Sequence, residues 1–151
     1  SLMGVGVDAV DIDKALSRED VKGRAMHLGK VSFPELVQLL KHSYAFVMPN
    51  IRIHGDAEGF GLVALEAVMN GTAAVVAGIE GITEAIRDGE NGIYVESGNA
   101  DSWVRTIHDL CADRKRRDEL VVKGIEFTKR NFSWKKMSDN YIDIFRRLNE
   151  K

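Results

Sequence analysis

Residues 45–77 read AFVMPNIRIHGDAEGFGLVALEAVMNGTAAVVA. The run opens on Ala45-Phe46-Val47-Met48, apolar throughout and stopped by Pro49, and it closes on the equally apolar Ala73–Ala77. Between them the loop Asn50–Ala57 gives way to Phe60–Met69, a segment of helical length. That segment ends ahead of Gly71, a residue type favoured just past a helix carboxyl end. Strands that are apolar without alternation are buried on both faces, and two of them joined through a helix pair in parallel. The stretch predicts strand, helix, strand within a parallel sheet.

The same alternation continues on both sides. Leu2–Val7 reads as a short strand, Val10–Lys22 as a polar helix, and Ala25–Leu28 as a strand ending at Gly29. Ser32 is placed to cap a helix over Pro34–His42, with Pro34 and Glu35 in its first turn. Beyond residue 77, Thr83–Arg87 makes a short helix, Asp88-Gly89 a turn and Ile93–Val95 a last strand. Asp101–Ala112, Arg116–Thr128 and Trp134–Leu148 form a helical tail. The expected fold is one α/β domain, a Rossmann-like parallel sheet with helices on both faces. Ligands of such sheets lie beyond the carboxyl ends of the strands, which points to the loops after Met48, Ala77 and Leu28.

Composition bounds the function. The 151 residues suffice for one domain with a real core. A formal net charge of −2 supplies no overall field to recruit nucleic acid or anionic lipid. The densest basic run, Arg114-Lys115-Arg116-Arg117, reads as a solvated turn between helices. A single cysteine, Cys111, rules out an intramolecular disulfide and fits a reducing compartment. No apolar run approaches the ~20 residues of a membrane span. The expected location is cytoplasmic.

The stretch richest in chemistry is Gly55 to Ala67. Gly59 and Gly61 bracket the start of a helix just after a buried strand, where backbone can approach a ligand and free N–H groups can face an anion. Glu58 precedes that start and Glu66 follows it. Leu62 to Glu66 is one turn, roughly 6 Å along the axis. A diphosphate over Gly61–Val63 would therefore have a carboxylate on each side, one for sugar hydroxyls and one for ribose hydroxyls. The plain alternative makes the glycines turn residues and Glu66 a surface position.

Glu58 and Glu66 have seven residues between them, and the segment resembles the E-x7-E motif of the family 4 retaining glycosyltransferases, which have the GT-B fold. His27-Leu28-Gly29-Lys30-Val31-Ser32 with Glu35-Leu36 resembles that family's strand, glycine, valine and helix. Phe46–Pro49, Gly71-Thr72 with Val75–Ala77, Gly81–Glu84, Asp88–Gly92 and Phe132–Trp134 are similar to further family segments, in order, over roughly residues 25–148. Departures are Ala73 and Thr83, where the family commonly has proline, and a longer loop over 50–57. The family's first strand and glycine loop, with the Arg and Lys that neutralise the diphosphate, have no match here.

The resemblance implies the carboxy-terminal, nucleotide-sugar-binding half of a GT-B enzyme over residues 1–151, truncated at its amino end and lacking the acceptor-binding domain. The parent would transfer a hexose from a UDP- or GDP-sugar, with retention, to a glycan, lipid-linked or other acceptor. Its setting would be polysaccharide or glycoconjugate assembly, in the cytoplasm or at the inner face of the membrane. The resemblance assigns Glu66 to the ribose, Glu58 to the transferred sugar as the catalytic carboxylate, and the N–H groups of Gly61, Leu62 and Val63 to the diphosphate, with Gly59 and Phe60 in the same binding site. Gly29, Lys30 and Val31 would meet the base. The nucleotide sugar is then the partner, with no metal, no other cofactor and no nucleic acid, and the fragment alone would be inactive. Rival readings are a non-catalytic nucleotide-binding module and a flavodoxin-like interaction domain.

Other signals carry less. Gly4–Ala9 fits a relaxed dinucleotide fingerprint but follows too short a strand. Asp11-Ile12-Asp13 has the letters of a metal-binding D-x-D, on a polar helical stretch. His27, His42, His54 and His108 show no metal spacing, and His54 is a solvated loop residue. Trp103, Phe127 and Trp134 fall at helical core positions.

Overall fold

In a computed structural model, which describes residues 2–4, 9–51, 60–79 and 81–149, the chain divides into two units, Ser1–Leu39 and Leu40–Lys151. In the first, β1 (Leu2–Gly4) and β2 (Ala25–His27) pair in parallel, Leu2 opposite Ala25 and Gly4 opposite His27. The crossover between them carries α1 (Ala9–Leu16), which packs on β2. The expected helix over Val10–Lys22 is thus cut short. After Leu16 there is no apolar side chain until Val21, so nothing anchors a further turn. Ser17 instead folds back, its hydroxyl donating to the Asp13 carbonyl at 2.7 Å, and a series of turns follows. Asp13 lies exposed on α1, as a solvated helix residue. The Gly6-Val7-Asp8 part of the dinucleotide-like fingerprint lies outside the described residues.

Helix α2 (Phe33–His42) begins as its sequence predicts. The Glu35 carboxylate accepts from the Ser32 N–H at 2.8 Å and from its hydroxyl at 2.6 Å, so the third helical residue reaches back to the cap. These bonds from Ser32 hold the Glu35 carboxyl below its ordinary pKa.

The second unit is built on β3 (Ala45–Met48), β4 (Ala73–Ala77) and β5 (Ile93–Val95), parallel and in that order. Ala45 lies opposite Ala73, and Val75 opposite Ile93. All five residues of β4 are at most 2% exposed, so both faces of the central strand are covered. Helix α3 (Leu62–Met69) packs on β3 and β4 through Ala64, Leu65 and Val68. Helix α4 (Ile82–Ala85) adds Ile82, and α5 (Ala100–Ala112) adds Trp103 and Leu110. Burying each such Leu, Ile or Val contributes about 1.5–3 kcal/mol. The end of α3 is closed by Gly71 at φ 84°. Its N–H meets the Val68 carbonyl at 3.0 Å, and the Thr72 N–H meets that of Ala67 at 3.0 Å, a Schellman pair. The buried Thr72 hydroxyl donates to the Leu40 carbonyl near the end of α2.

Two readings of the helical tail are corrected. The basic run 114–117 is not a turn but the first turn of α6 (Arg114–Phe132). Asp113 caps that helix, its carboxylate accepting from the Arg116 N–H at 2.9 Å. Arg114 and Lys115 reach Asp118 and Glu119 one turn on. Arg117 donates to the Tyr44 carbonyl at 3.2 Å and lies 4.8 Å from the centre of that ring. Trp134, expected in the core, opens α7 (Trp134–Asn149) and is 83% exposed. No residue of α7 is buried. Trp103 does pack as expected, its indole N–H donating to the Glu96 carbonyl at 3.2 Å.

Candidate functional site

The amino terminus of α3 is unlike those of the helices that follow the sheet. Its cap residue is Gly61, at φ 75° and ψ 32°, and among the described residues no side chain caps the free N–H groups of the first turn. The helix starts two residues later than its apolar pattern suggests, because the chain turns through the left-handed region at Gly61, where a Cβ would be strained. A helix begins with N–H groups that it cannot itself satisfy. Those of Leu62 and Val63 are the first of these, with the partial positive end of the dipole behind them. Gly61 lies against the start of α4, its position for a Cβ 3.5 Å from the Ile82 Cα. The open helix end therefore sits beside the loop that leaves the carboxyl end of β4.

Helix α3 is apolar nearly all round, yet only one side is covered. Ala64, Leu65, Ala67 and Val68 are buried, whereas Leu62, Val63, Glu66 and Met69 are exposed. Among the described residues the Glu66 carboxylate has no ion-pair or hydrogen-bond partner, so its acceptor capacity is free. Gly61, Leu62, Val63 and Glu66 are thus brought together, an anion-favouring helix end with a free carboxylate one turn in. Phe60 stands just before this turn, its ring edge-on to Phe132 with centroids 6.0 Å apart. Glu58, Gly59 and His54 lie outside the described residues. In the other unit, Gly29 (φ 62°), Lys30 and Val31 form the bend between β2 and α2, with Lys30 exposed.

One feature at the sheet's carboxyl edge was missed. A cavity of about 690 Å³ is lined by Ile51, Gly78, Ile79 and the segment 94–98. It uses the loops after β3 and β4, which were singled out, and also the loop after β5, which was not. The signal was present in Ile93–Val95 followed by Glu96-Ser97-Gly98, the end of a third parallel strand. Tyr94 braces this corner, donating its hydroxyl to the carbonyls of Ile86 and Thr83. Burial pushes its phenol pKa up, opposed by Arg87 and aided by Asp88. Among the described residues no three His, Cys, Asp or Glu side chains gather to hold a metal ion, and no helix is long and apolar enough to cross a membrane.

The fold is that of the GT-B glycosyltransferases. It matches HepE of Anabaena, solved with UDP and glucose, at a TM-score of 0.74 and 18% identity, over 91% of this chain and 36% of that one. Residues 4–127 match the family described as glycosyl transferases group 1, and the chain belongs to that family. It is 36% identical over 88 residues to a D-inositol 3-phosphate glycosyltransferase of Salinispora tropica, covering 58% of this chain. It is 31% identical over 149 residues to an uncharacterized glycosyltransferase of Methanocaldococcus jannaschii, covering 97% of this chain. The chain spans 18% of the first relative and 36% of the second.

Proposed function

We propose that this chain is the donor-binding domain of a retaining hexosyltransferase, which takes a sugar from a nucleoside diphosphate to a glycan, lipid-linked or other acceptor. The observation that carries the reading is the uncapped amino end of α3 with the unpartnered Glu66 carboxylate one turn along, in a chain of this family. The N–H groups of Gly61, Leu62 and Val63 receive the diphosphate, with Gly59 and Phe60 assigned to the same nucleotide-sugar site. As the sugar departs, negative charge grows on that diphosphate, and oriented N–H dipoles stabilise it without reorganising. Glu66 accepts from the ribose hydroxyls. Glu58 serves the sugar, next to the reacting carbon. HepE, a relative in fold, holds UDP and glucose, which agrees with this class of donor.

Donor binding of this kind needs no divalent metal, since N–H groups supply the countercharge. The acceptor side belongs to a domain outside this chain, and catalysis requires both reactants held together. The chain alone is therefore expected to bind donor without transferring sugar, and the whole enzyme to work on the cytoplasmic side in glycan or glycoconjugate assembly.

Calorimetric titration of the chain with UDP and with GDP, with and without a chelator, tests this. Binding of one of them, unchanged by chelator, is expected. Glu66→Gln should weaken it by the worth of a charge-assisted hydrogen bond, about 1.5–3 kcal/mol. Binding of neither nucleotide would overturn the reading in favour of an interaction domain. A ten-fold loss with chelator, about 1.4 kcal/mol, would overturn its metal-free form.

A further inference from the structure

We infer that Phe132, far from the glycine turn in sequence, is a positioning residue for the donor site; this rests on the diphosphate reading above. Three observations carry it. The Phe132 ring meets Phe60 edge-on, with centroids 6.0 Å apart and planes at 66°, and Phe127 backs it at 6.4 Å. Phe60 is 39% exposed and immediately precedes Gly61, the turn on which the orientation of the first α3 N–H groups depends. Phe132 itself is held from two sides. It packs against the core cluster, and it is the last residue of α6, because Ser133 turns extended (φ −73°, ψ 150°) and its hydroxyl accepts from the Lys136 N–H to cap α7.

The physical need is clear at Gly61. A glycine in the left-handed region brings no side chain of its own to fix the turn, and among the described residues no side chain caps the helix. The turn's own restraints are the bonds from the Ala64 and Leu65 N–H groups to the Gly61 carbonyl, at 2.9 and 3.4 Å. An aromatic neighbour held by the end of α6 restrains the residue before the glycine, and with it the direction of N–H groups that must meet a diphosphate. A small loss of alignment there costs binding directly, because the ligand bonds to backbone and not to an adaptable side chain.

The test compares Phe132→Leu with Leu120→Ala, a change on the same helix that loses core packing away from the turn, at a temperature where both stay folded. In Phe132→Leu, diphosphate affinity should fall about three- to ten-fold, the range an edge-to-face pair supports, and Phe132→Tyr should restore it. Leu120→Ala should lower the melting temperature without changing affinity. Hydrogen exchange of the Ala64 amide, bonded to the Gly61 carbonyl, should quicken at least five-fold in Phe132→Leu and not in Leu120→Ala. That second readout needs no ligand, so it decides the role of Phe132 even if wild type binds neither UDP nor GDP, a result that counts only against the diphosphate reading. Unchanged exchange at Ala64, or a Phe132→Leu protein that binds as wild type, would overturn the inference.

Discussion

Helices α5, α6 and α7 close their own amino ends, and α3 does not. Asn99 accepts from the Ser102 N–H at 3.1 Å, Asp113 from that of Arg116 at 2.9 Å, and Ser133 from that of Lys136 at 3.2 Å. Each cap is a side chain spent on the chain's own backbone, worth about 1 kcal/mol of stability. Gly61 offers α3 nothing of the kind. The difference follows place in the fold: the capped helices belong to the tail, whereas α3 and the four-residue α4, which starts on Gly81 and also lacks a side-chain cap, begin in the loops of the sheet. An open helix end forgoes stability to keep donors free, which is the arrangement expected where a ligand completes the cap.

The comparison sharpens most at the two glutamates. In a full-length enzyme, Glu58→Gln should lower turnover ten-fold or more, about 1.4 kcal/mol of barrier. It should also leave bare UDP or GDP affinity nearly unchanged, whereas Glu66→Gln lowers that affinity. Turnover within about three-fold of wild type would make Glu58 a bystander.

Next in size is Gly61→Ala. Its Cβ would stand 3.5 Å from Ile82, an ordinary contact, so the cost is backbone strain at φ 75°, about 1–2 kcal/mol by chemical denaturation. Equal stability would mean that the turn relaxes freely and that its geometry is not what glycine is there to supply.

The capped ends should behave in the opposite way. Asn99→Ala and Asp113→Ala are each expected to lose about 1 kcal/mol of stability with no change in nucleotide affinity. A shift in affinity from either would blur the division between structural and functional helix ends.

The smallest effect concerns α2. Its cap depends on the ionised Glu35, whose folded-state pKa is lowered by the bonds from Ser32. A depressed carboxyl stabilises above its unfolded pKa, and the contribution is lost as pH falls through the folded value. Melting temperature followed from pH 6 down to 3 should therefore drop slightly more for wild type than for Glu35→Gln. Parallel curves would remove the ionised cap from the account.

Much of this architecture was legible in the chain. Ala45–Met48, Ala73–Ala77 and Ile93–Val95 are strands at the bounds their apolar runs suggest: the central one is buried throughout and its two neighbours partly so, which leaves apolar runs to read. Gly71 closes α3 because a left-handed residue is needed where the helix stops. What misled were positions where periodicity had no partner to match. Trp134 has the spacing of a core residue, but the described fold places nothing over it. The run 114–117 looks like a turn because basic residues oppose the dipole at a helix start, yet Asp113 and the pairs to Asp118 and Glu119 offset that cost. At the candidate site, the helix start near Gly61 could be read from spacing, whereas the role given to Glu66 came from the resemblance. The support from Phe132 could be read from neither, since it joins distant segments that only the folded chain brings together.

The claim that the open end of α3 receives a diphosphate is met most directly by Gly61→Asp. Aspartate tolerates the left-handed region better than most residues, and it places a negative charge beside the N–H groups that must receive the diphosphate. Titrated with whichever of UDP and GDP the wild type binds, the folded variant should lose affinity ten-fold or more, about 1.4 kcal/mol. A folded Gly61→Asp protein that binds the nucleotide as tightly as wild type would contradict the account.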